Sequence, residues 1–515
     1  MTKSFMHGDK TPETQRKQRQ EEQIELRRIR TEELLKKKRE IAIKMENSVY
    51  AESKRKLYNN ESLDDIYAGA YEFRIVLSQE NNPPVKEILE TGILYRVVEL
   101  LNPAYFHNYP ANEIVINIRL ECAWILTNIC TGTHDQTRQV VETNACDYLV
   151  DMLNSNNDEM VDQAVWCLGN IAGDCEEFRD KLLNLNILPR VVDKIHYYGL
   201  APQNIKITAN LTWFLGNLNR GRNPPPTYEN MLISSNIFEQ MCISTDPEIV
   251  STCFWGISYI CDVDNGMTDQ ILNSTIMNRI CELLNSLTSF LKNNCFDYDE
   301  LSKLCVTAIS PIIRTVGNIV SGSDSQTDAI LNLGIIDTFP ILFYKFHNKK
   351  LPRIRKEICW TISNITAGTP EQTRYNINKN MCPLLIDAIS SYEIYIRKEA
   401  IYALVNISML TTEDSTILDI LVTHGIYDGL KKCIQACENY NDILIQILDI
   451  CINLLDVGES QIKLIGTNKV TEGMIECKLA ETIENLQDIR NTEIATKAYN
   501  IIMKYFDGED EDVYY

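Results

Sequence analysis

The chain has 515 residues, 44% hydrophobic and 23% charged, with 50 Lys/Arg against 71 Asp/Glu and a formal net charge of −21. This apolar content excludes a disordered chain, and the length suits either a few ordinary domains or one long repeat array. The negative charge excludes nucleic-acid binding by bulk charge, because phosphates are repelled. Seventeen Cys are scattered without a C-x-x-C, which reads as reduced, buried thiols rather than disulfides or zinc ligands. The opening MTKSFMHGDK lacks the apolar stretch of a secretory signal, and no apolar run reaches membrane-spanning length, so the expectation is cytosol or nucleus.

Charge divides the chain. Residues 1–45 hold 13 Lys/Arg against 8 Asp/Glu, and the closing FDGEDEDVYY places Asp507, Glu509, Asp510, Glu511 and Asp512 close together. The head segment RQEEQIELRRIRTEELLKKKRE is rich in helix formers and has no Pro or Gly. It buries little by itself, so it is expected to order on a partner, and an acidic protein groove suits it better than a membrane surface. Residues 40–60 read as a flexible tether.

The body repeats. Trp124-Ile-Leu-Thr-Asn128 recurs as Trp166-Cys-Leu-Gly-Asn170 and Trp213-Phe-Leu-Gly-Asn217. Trp255-Gly-Ile-Ser-Tyr259 keeps the Trp, and Arg314-Thr-Val-Gly-Asn318 keeps the Asn. Trp360-Thr-Ile-Ser-Asn364 restores both, and Tyr402-Ala-Leu-Val-Asn406 is a softer copy. The leading positions step by 42, 47, 42, 59, 46 and 42. A period in the forties belongs to HEAT and armadillo solenoids, and the long step signals an insertion around 286–299. Breaks such as TGTHDQT, SGSDSQT and TAGTPEQT close helices, while the stretches between them carry helical apolar spacing. The expected fold is all-α: an armadillo-repeat right-handed superhelical solenoid with a concave groove, preceded by a basic N-terminal segment, helical or disordered.

Positions i and i+4 share a helix face, so stacked repeats set a ladder of Trp beside a ladder of Asn. An Asn amide offers both a donor and an acceptor to an extended peptide backbone. Neighbouring Trp rings make slots for long cationic side chains, and carboxylates at the right places hold their charged heads. Leu126, Leu168 and Leu215 between them supply the core. His134 beside Asp135 reads as a solvated loop pair.

These motifs resemble the importin-alpha family of nuclear import adaptors. The head clusters around Arg16, Arg19, Arg27, Arg28, Arg30, Lys36, Lys37, Lys38 and Arg39 resemble that family's importin-beta-binding segment. FRIVLSQENNPPVKEILETG is similar to its first repeat, and ATKAYNIIMKYF before an acidic tail to its last. The resemblance implies four parts: an importin-beta-binding segment at 1–50, a flexible linker at 51–62, about ten repeats at 63–506 and an acidic tail at 507–515. It implies a major cargo site of Ser78, Trp124, Asn128, Gly132, Thr137, Trp166, Asn170, Asp174, Trp213 and Asn217. In it Gly132 and Thr137 would meet the key lysine and Asp174 would be its counter-ion. Trp255, Tyr259, Arg314 and Asn318 would line the groove between sites. Glu357, Trp360, Asn364, Glu399, Tyr402 and Asn406 would form a minor site.

The resemblance further implies cargo with basic nuclear localisation signals, importin-beta and a recycling export receptor as partners, and shuttling between cytoplasm and nucleus. It implies no enzyme activity, cofactor, metal, membrane or specific nucleic acid. Lys36–Arg39 would fold back into the major site when importin-beta is absent, with Lys54-Arg55-Lys56 as a competing cluster. Two departures stand out: Tyr402 replaces a Trp and should weaken the minor slot, and Thr252 replaces an acid and should remove a groove charge. The alternative is a catenin-like armadillo scaffold for other extended peptides.

Overall fold

The computed structural model describes residues 49–507, except 80, 81, 110, 111, 264, 294–307, 347–351, 392 and 466. Among the described residues there is no strand and no disulfide, and no single helix is long and apolar enough to cross a membrane. Most of the described cysteines are buried; Cys433 and Cys437, one helical turn apart, face each other at 3.9 Å.

Two compact units divide at Val263/Asp264. In the first, the helices Leu63–Leu77, Glu113–Ile129, Asp158–Ala172, Ile205–Asn217 and Pro247–Cys261 stack in succession. In the second, the same role falls to Ser310–Val320, Pro352–Thr366, Ile394–Met409, Asn441–Ile465 and Thr492–Tyr505. Shorter helices connect and back these long ones. The core is the apolar filling between them, including Leu126, Leu168 and Leu215, all fully buried.

Repeated turn chemistry starts the backing helices. Thr133, Ser323 and Thr369 each cap a helix while Gln136, Gln326 and Gln372 three residues on fold back to the cap N–H, completing capping boxes. At the preceding Gly132, Gly322 and Gly368 a Cβ would lie about 2 Å from the Gln Oε1, so a side chain there would displace the amide that completes the capping box. Thus the Gly-[Ser/Thr]-x-x-Gln pattern of the sequence is a helix-start device.

Residues 51–62, expected as a flexible linker, are helical through Leu57. Val49–Leu57 forms a helix that docks on Leu63–Leu77. Leu57 is fully buried, Lys56 pairs with Glu72 at 2.7 Å and Ser53 donates to Glu72 at 2.6 Å. The two backbones meet at Gly69, where a Cβ would lie 2.5 Å from Leu57 N and 2.7 Å from Ser53 O. The polar sequence of this helix conceals the docking because it rests on backbone approach and ion pairing rather than on an apolar stripe. The expectations for residues 1–48, for the acidic tail beyond Asp507 and for the insertion beyond Asn293 lie outside the described residues.

Gly69→Ala therefore sets a methyl against backbone that has no rotamer to yield. Its expected cost is roughly 1–3 kcal/mol, read as a lower denaturation midpoint together with faster proteolysis within 49–57.

Candidate functional site: the tryptophan and asparagine ladder

Trp124, Trp166 and Trp213 sit in the last two turns of Glu113–Ile129, Asp158–Ala172 and Ile205–Asn217. All three are half-buried, unlike the fully covered leucines beside them. Trp213 lies against the preceding repeat at Gly169, where a Cβ would fall 2.2 Å from its ring. Trp360 does the same over Gly317, at 2.1 Å. Gly169 and Gly317 are thus the seats of the next repeat's indole, whereas Gly216 faces Gly256 instead. Trp255 differs: it is only 8% exposed and stacks on Tyr259, with ring centroids 6.1 Å apart.

The asparagines bond backwards by one repeat. Asn128 donates to Ser78 Oγ at 3.1 Å, Asn170 to the Thr127 carbonyl at 3.4 Å and Asn217 to the Gly169 carbonyl at 2.9 Å. In the second unit Asn364 donates to the Gly317 carbonyl at 3.2 Å, and Asn406 to the Ser363 carbonyl at 3.4 Å. Asn170, Asn217 and Asn318 are buried; Asn128, Asn364 and Asn406 are partly open. One amide N–H of each bonded Asn is therefore committed to the fold, and a primary amide keeps a second N–H and its carbonyl.

The position three residues before each ring also faces the previous repeat. Glu121 pairs with buried Arg74 at 2.6 Å, Gln163 donates to Thr127 Oγ1 at 2.7 Å and Asn210 donates to Asp162 at 2.5 Å. Thr252 shares a hydrogen bond with Thr212 at 2.7 Å, and Glu357 pairs with Arg314 at 2.5 Å. This corrects two expectations. Thr252 is buried and matched to a hydroxyl, so no groove charge is missing there. Glu357 is 2% exposed and committed to Arg314, so it is an internal counter-ion rather than an open groove acid.

At the expected lysine pocket, Gly132 is partly open at its capping box. Thr137 is fully buried, its hydroxyl directed at the Thr133 carbonyl 3.3 Å away, so it builds the pocket wall instead of offering a free ligand. Asp174 is occupied from within the chain: His134 Nδ1 stands 2.5 Å from Asp174 Oδ2. The imidazole stacks on Phe178 at 5.1 Å, and Arg138 donates to Nε2 at 2.9 Å. His134 is therefore not a loop partner of Asp135. Because Arg138 can only donate, the Nε2 lone pair accepts and the ring proton sits on Nδ1 toward Asp174.

The Asp174, His134 and Cys175 ligand atoms lie within 4.8 Å of one another. The trio does not suit a metal: Nδ1 has no lone pair in this tautomer, and burial pushes the Cys175 thiol up to about 11.

The chain's own cations stand over several of the rings. Arg74 lies 5.0 Å from the Trp124 ring, Arg220 5.2 Å from Tyr259, Arg314 4.8 Å from Trp360 and Lys398 5.8 Å from Tyr402. Among the described residues no Lys or Arg is placed over Trp166 or Trp213. Burial raises the Tyr402 phenol, and Lys398 is tied to Asp442. Glu399 is partly open. The Lys54-Arg55-Lys56 cluster has local partners in the Thr91 carbonyl, Glu52 and Glu72. Sequence reasoning missed Arg74, His134, Arg138, Arg220 and Lys398. The available signal was the period itself, since Arg74–Glu121, His134–Asp174 and Arg314–Glu357 are separated by 47, 40 and 43 residues.

Fold and ladder together define an armadillo-repeat solenoid. An Armadillo/beta-catenin-like repeat model matches residues 133–173, an Atypical Arm repeat model 468–514 and an Importin beta binding domain model 2–74. The crystal structure of an engineered protein superimposes with a TM-score of 0.64 at 18% identity, covering 90% of this chain and 100% of that one. Importin subunit alpha-1a of Oryza sativa subsp. japonica is 30% identical over 517 residues, spanning 96% of this chain and 90% of that protein. Importin subunit alpha-1b of the same plant is 30% identical, spanning 86% and 76%. Importin subunit alpha-3 of Arabidopsis thaliana is 28% identical, spanning 96% and 90%. The chain belongs to the importin-alpha family. It is a nuclear import adaptor with an importin-beta-binding domain and not an enzyme, which sets the catenin-like alternative aside.

The ring-on-glycine contacts predict a contrast. Gly169→Ala drives a methyl into Trp213 and is expected to cost roughly 1–3 kcal/mol and to shift Trp emission. Gly216→Ala meets only ordinary contact at 3.5 Å and is expected to be neutral or slightly stabilising. Paired denaturation curves with fluorescence detection decide it.

Proposed function

We propose that this adaptor seats lysine- and arginine-rich nuclear localisation signals against the ladder and joins the cargo to importin-beta through its basic N-terminus. The observation that supports this best is the half-exposed row Trp124, Trp166 and Trp213, with Asp174 beside it, on a chain of net charge −21. Apolar lysine stems pack between indoles, cation–π attraction adds roughly 0.5–2 kcal/mol per ring, and Asp174 receives an ammonium. Trp166 and Trp213, with no cation of the described residues placed over them, are the principal slots. Ser78, Asn128, Gly132, Asn170 and Asn217 frame this major site, and Thr137 supports its turn. In the second unit Trp360, Asn364, Glu399, Tyr402 and Asn406 form a weaker minor site. There Glu357 positions Arg314, and Lys398 already stands over the smaller Tyr402 ring.

Residues 1–48, with Arg16, Arg19, Arg27, Arg28 and Arg30, engage importin-beta, and Lys36–Arg39 occupy the major site when that partner is absent. A tether gives such a segment an effective concentration in the mM range, enough to block the groove at about micromolar intrinsic affinity. Importin-beta relieves the block by linkage. The last repeat and acidic tail take an export receptor that returns the adaptor to the cytoplasm, so the protein shuttles.

A labelled lysine-rich peptide, titrated into the full chain and into a chain starting at residue 48, tests this reading. The cut keeps the docked Val49–Leu57 helix. Tight binding by the shortened chain and at least tenfold weaker binding by the full chain are expected. Trp166→Ala should weaken binding by up to about thirtyfold, the upper cation–π figure. Equal binding by both chains overturns the autoinhibition, and no binding by either overturns the cargo site.

A further inference from the structure

The residue closing the lysine pocket is this chain's own. His134 is the first residue of the His134–Val141 helix, directly after its Thr133 cap. Its side chain is 21% exposed and that of Asp174 15%. Phe178 stacks under the ring with an interplanar angle of 8°, and Arg138, which holds Nε2, is itself fixed by Glu177 through contacts of 3.0 and 3.2 Å. The equivalent positions after the other two capping boxes are Asp324 and Pro370, neither of which can donate a side-chain proton from a ring held in this way. The imidazole therefore occupies the carboxylate from a rigid, four-residue mount.

We propose that His134 is an internal competitor for the cargo lysine on Asp174, and that the charge of its imidazole sets how readily lysine enters. This rests on the proposed reading of Asp174 as the lysine counter-ion. An arriving ammonium can bond Asp174 only after the Nδ1–H bond is broken. With a neutral ring the competitor is one ordinary donor. A second proton can enter only at Nε2, which then gives up the Arg138 N–H; the ring so charged is a cationic donor that keeps Nδ1–H on the carboxylate and repels the ammonium. The groups facing the ring are Asp174 and Cys175 from the turn, Glu177 from the Glu176–Asn184 helix, and Arg138 from its own helix. Glu177 is held ionised by its hydrogen bonds from Arg138, and burial keeps the Cys175 thiol protonated, so neither changes charge in the interval where imidazoles titrate. Lysine binding and ring protonation oppose each other. By linkage, lysine binding then expels a proton from the ring, and affinity rises with pH by at most tenfold per unit.

The test uses the full chain bound to importin-beta, so that the N-terminal segment is engaged, and a His-free lysine-rich peptide followed by fluorescence anisotropy from pH 5.5 to 8. The unmodified chain is expected to bind about tenfold more tightly at pH 8 than at pH 5.5. His134→Ser, which keeps a good helix-start residue, is expected to bind several-fold more tightly at pH 5.5 and to lose most of the pH slope. A second readout is the His134 Nδ1–H proton by NMR, which should disappear from its bonded position when peptide is added. An unchanged slope and affinity in His134→Ser, with Asp174→Asn still weakening binding, overturns the competition and leaves the cargo site standing. If neither Asp174→Asn nor Trp166→Ala weakens binding, the cargo site falls and the competition with it.

Discussion

The structure depends on registry between successive long helices. In several repeats the residue three before the ring, the residue four after it, or both lay their polar groups on the repeat before. Gln163 reaches Thr127, Asn217 reaches the Gly169 carbonyl and Glu357 reaches Arg314. These groups are buried or nearly so, and one left without a partner costs about 1–3 kcal/mol. A slip of one residue would strand several at once and would also drive an indole into a side chain where Gly169 or Gly317 now stands. A single repeat holds only half of each pair, so stability is a nearest-neighbour property of the stack.

The same registry produces the row of half-buried rings. With the polar groups of each long helix turned toward the previous repeat, the ring between them is left partly open. That is why the tryptophans are half-buried while the leucines two residues on are closed. Internal cations then grade the slots. A ligand lysine meeting Trp124 or Trp360 must share the ring with Arg74 or Arg314, whereas Trp166 and Trp213 make no such demand among the described residues. Selectivity along the ladder thus follows from what the chain has already placed there as much as from the rings themselves.

The repeat period, the helical class and the core leucines were legible in the sequence because each depends on local spacing. The ring and asparagine positions were legible too, as a phase that recurs. What was not legible was pairing across one period. His134 was matched to Asp135, its neighbour in sequence, when its partner is Asp174, 40 residues on. Thr252 reads as a missing acid in the sequence, yet at that phase Glu121 and Glu357 each answer an arginine of the repeat before, Arg74 and Arg314. Thr252 follows Thr212 and needs no charge. The Val49–Leu57 helix was hidden for a related reason: it docks through Gly69 backbone and Glu72, features that composition does not report.

The two units treat their buried carboxylates differently, and the difference bears on how each can be regulated. Glu357 is bound to the Arg314 guanidinium, which stays charged at every physiological pH and stands over the Trp360 ring. No change of pH can release that acid to a ligand. Asp174 is bound to an imidazole, a partner that is not a permanent cation. A ligand cation in the second unit must therefore rely on the rings and on Glu399, with Tyr402 a smaller platform than a tryptophan. A ligand cation in the first unit meets a carboxylate whose internal partner can be weakened. On the proposed reading, affinity is concentrated, and made adjustable, in the unit that holds Trp166, Trp213 and Asp174.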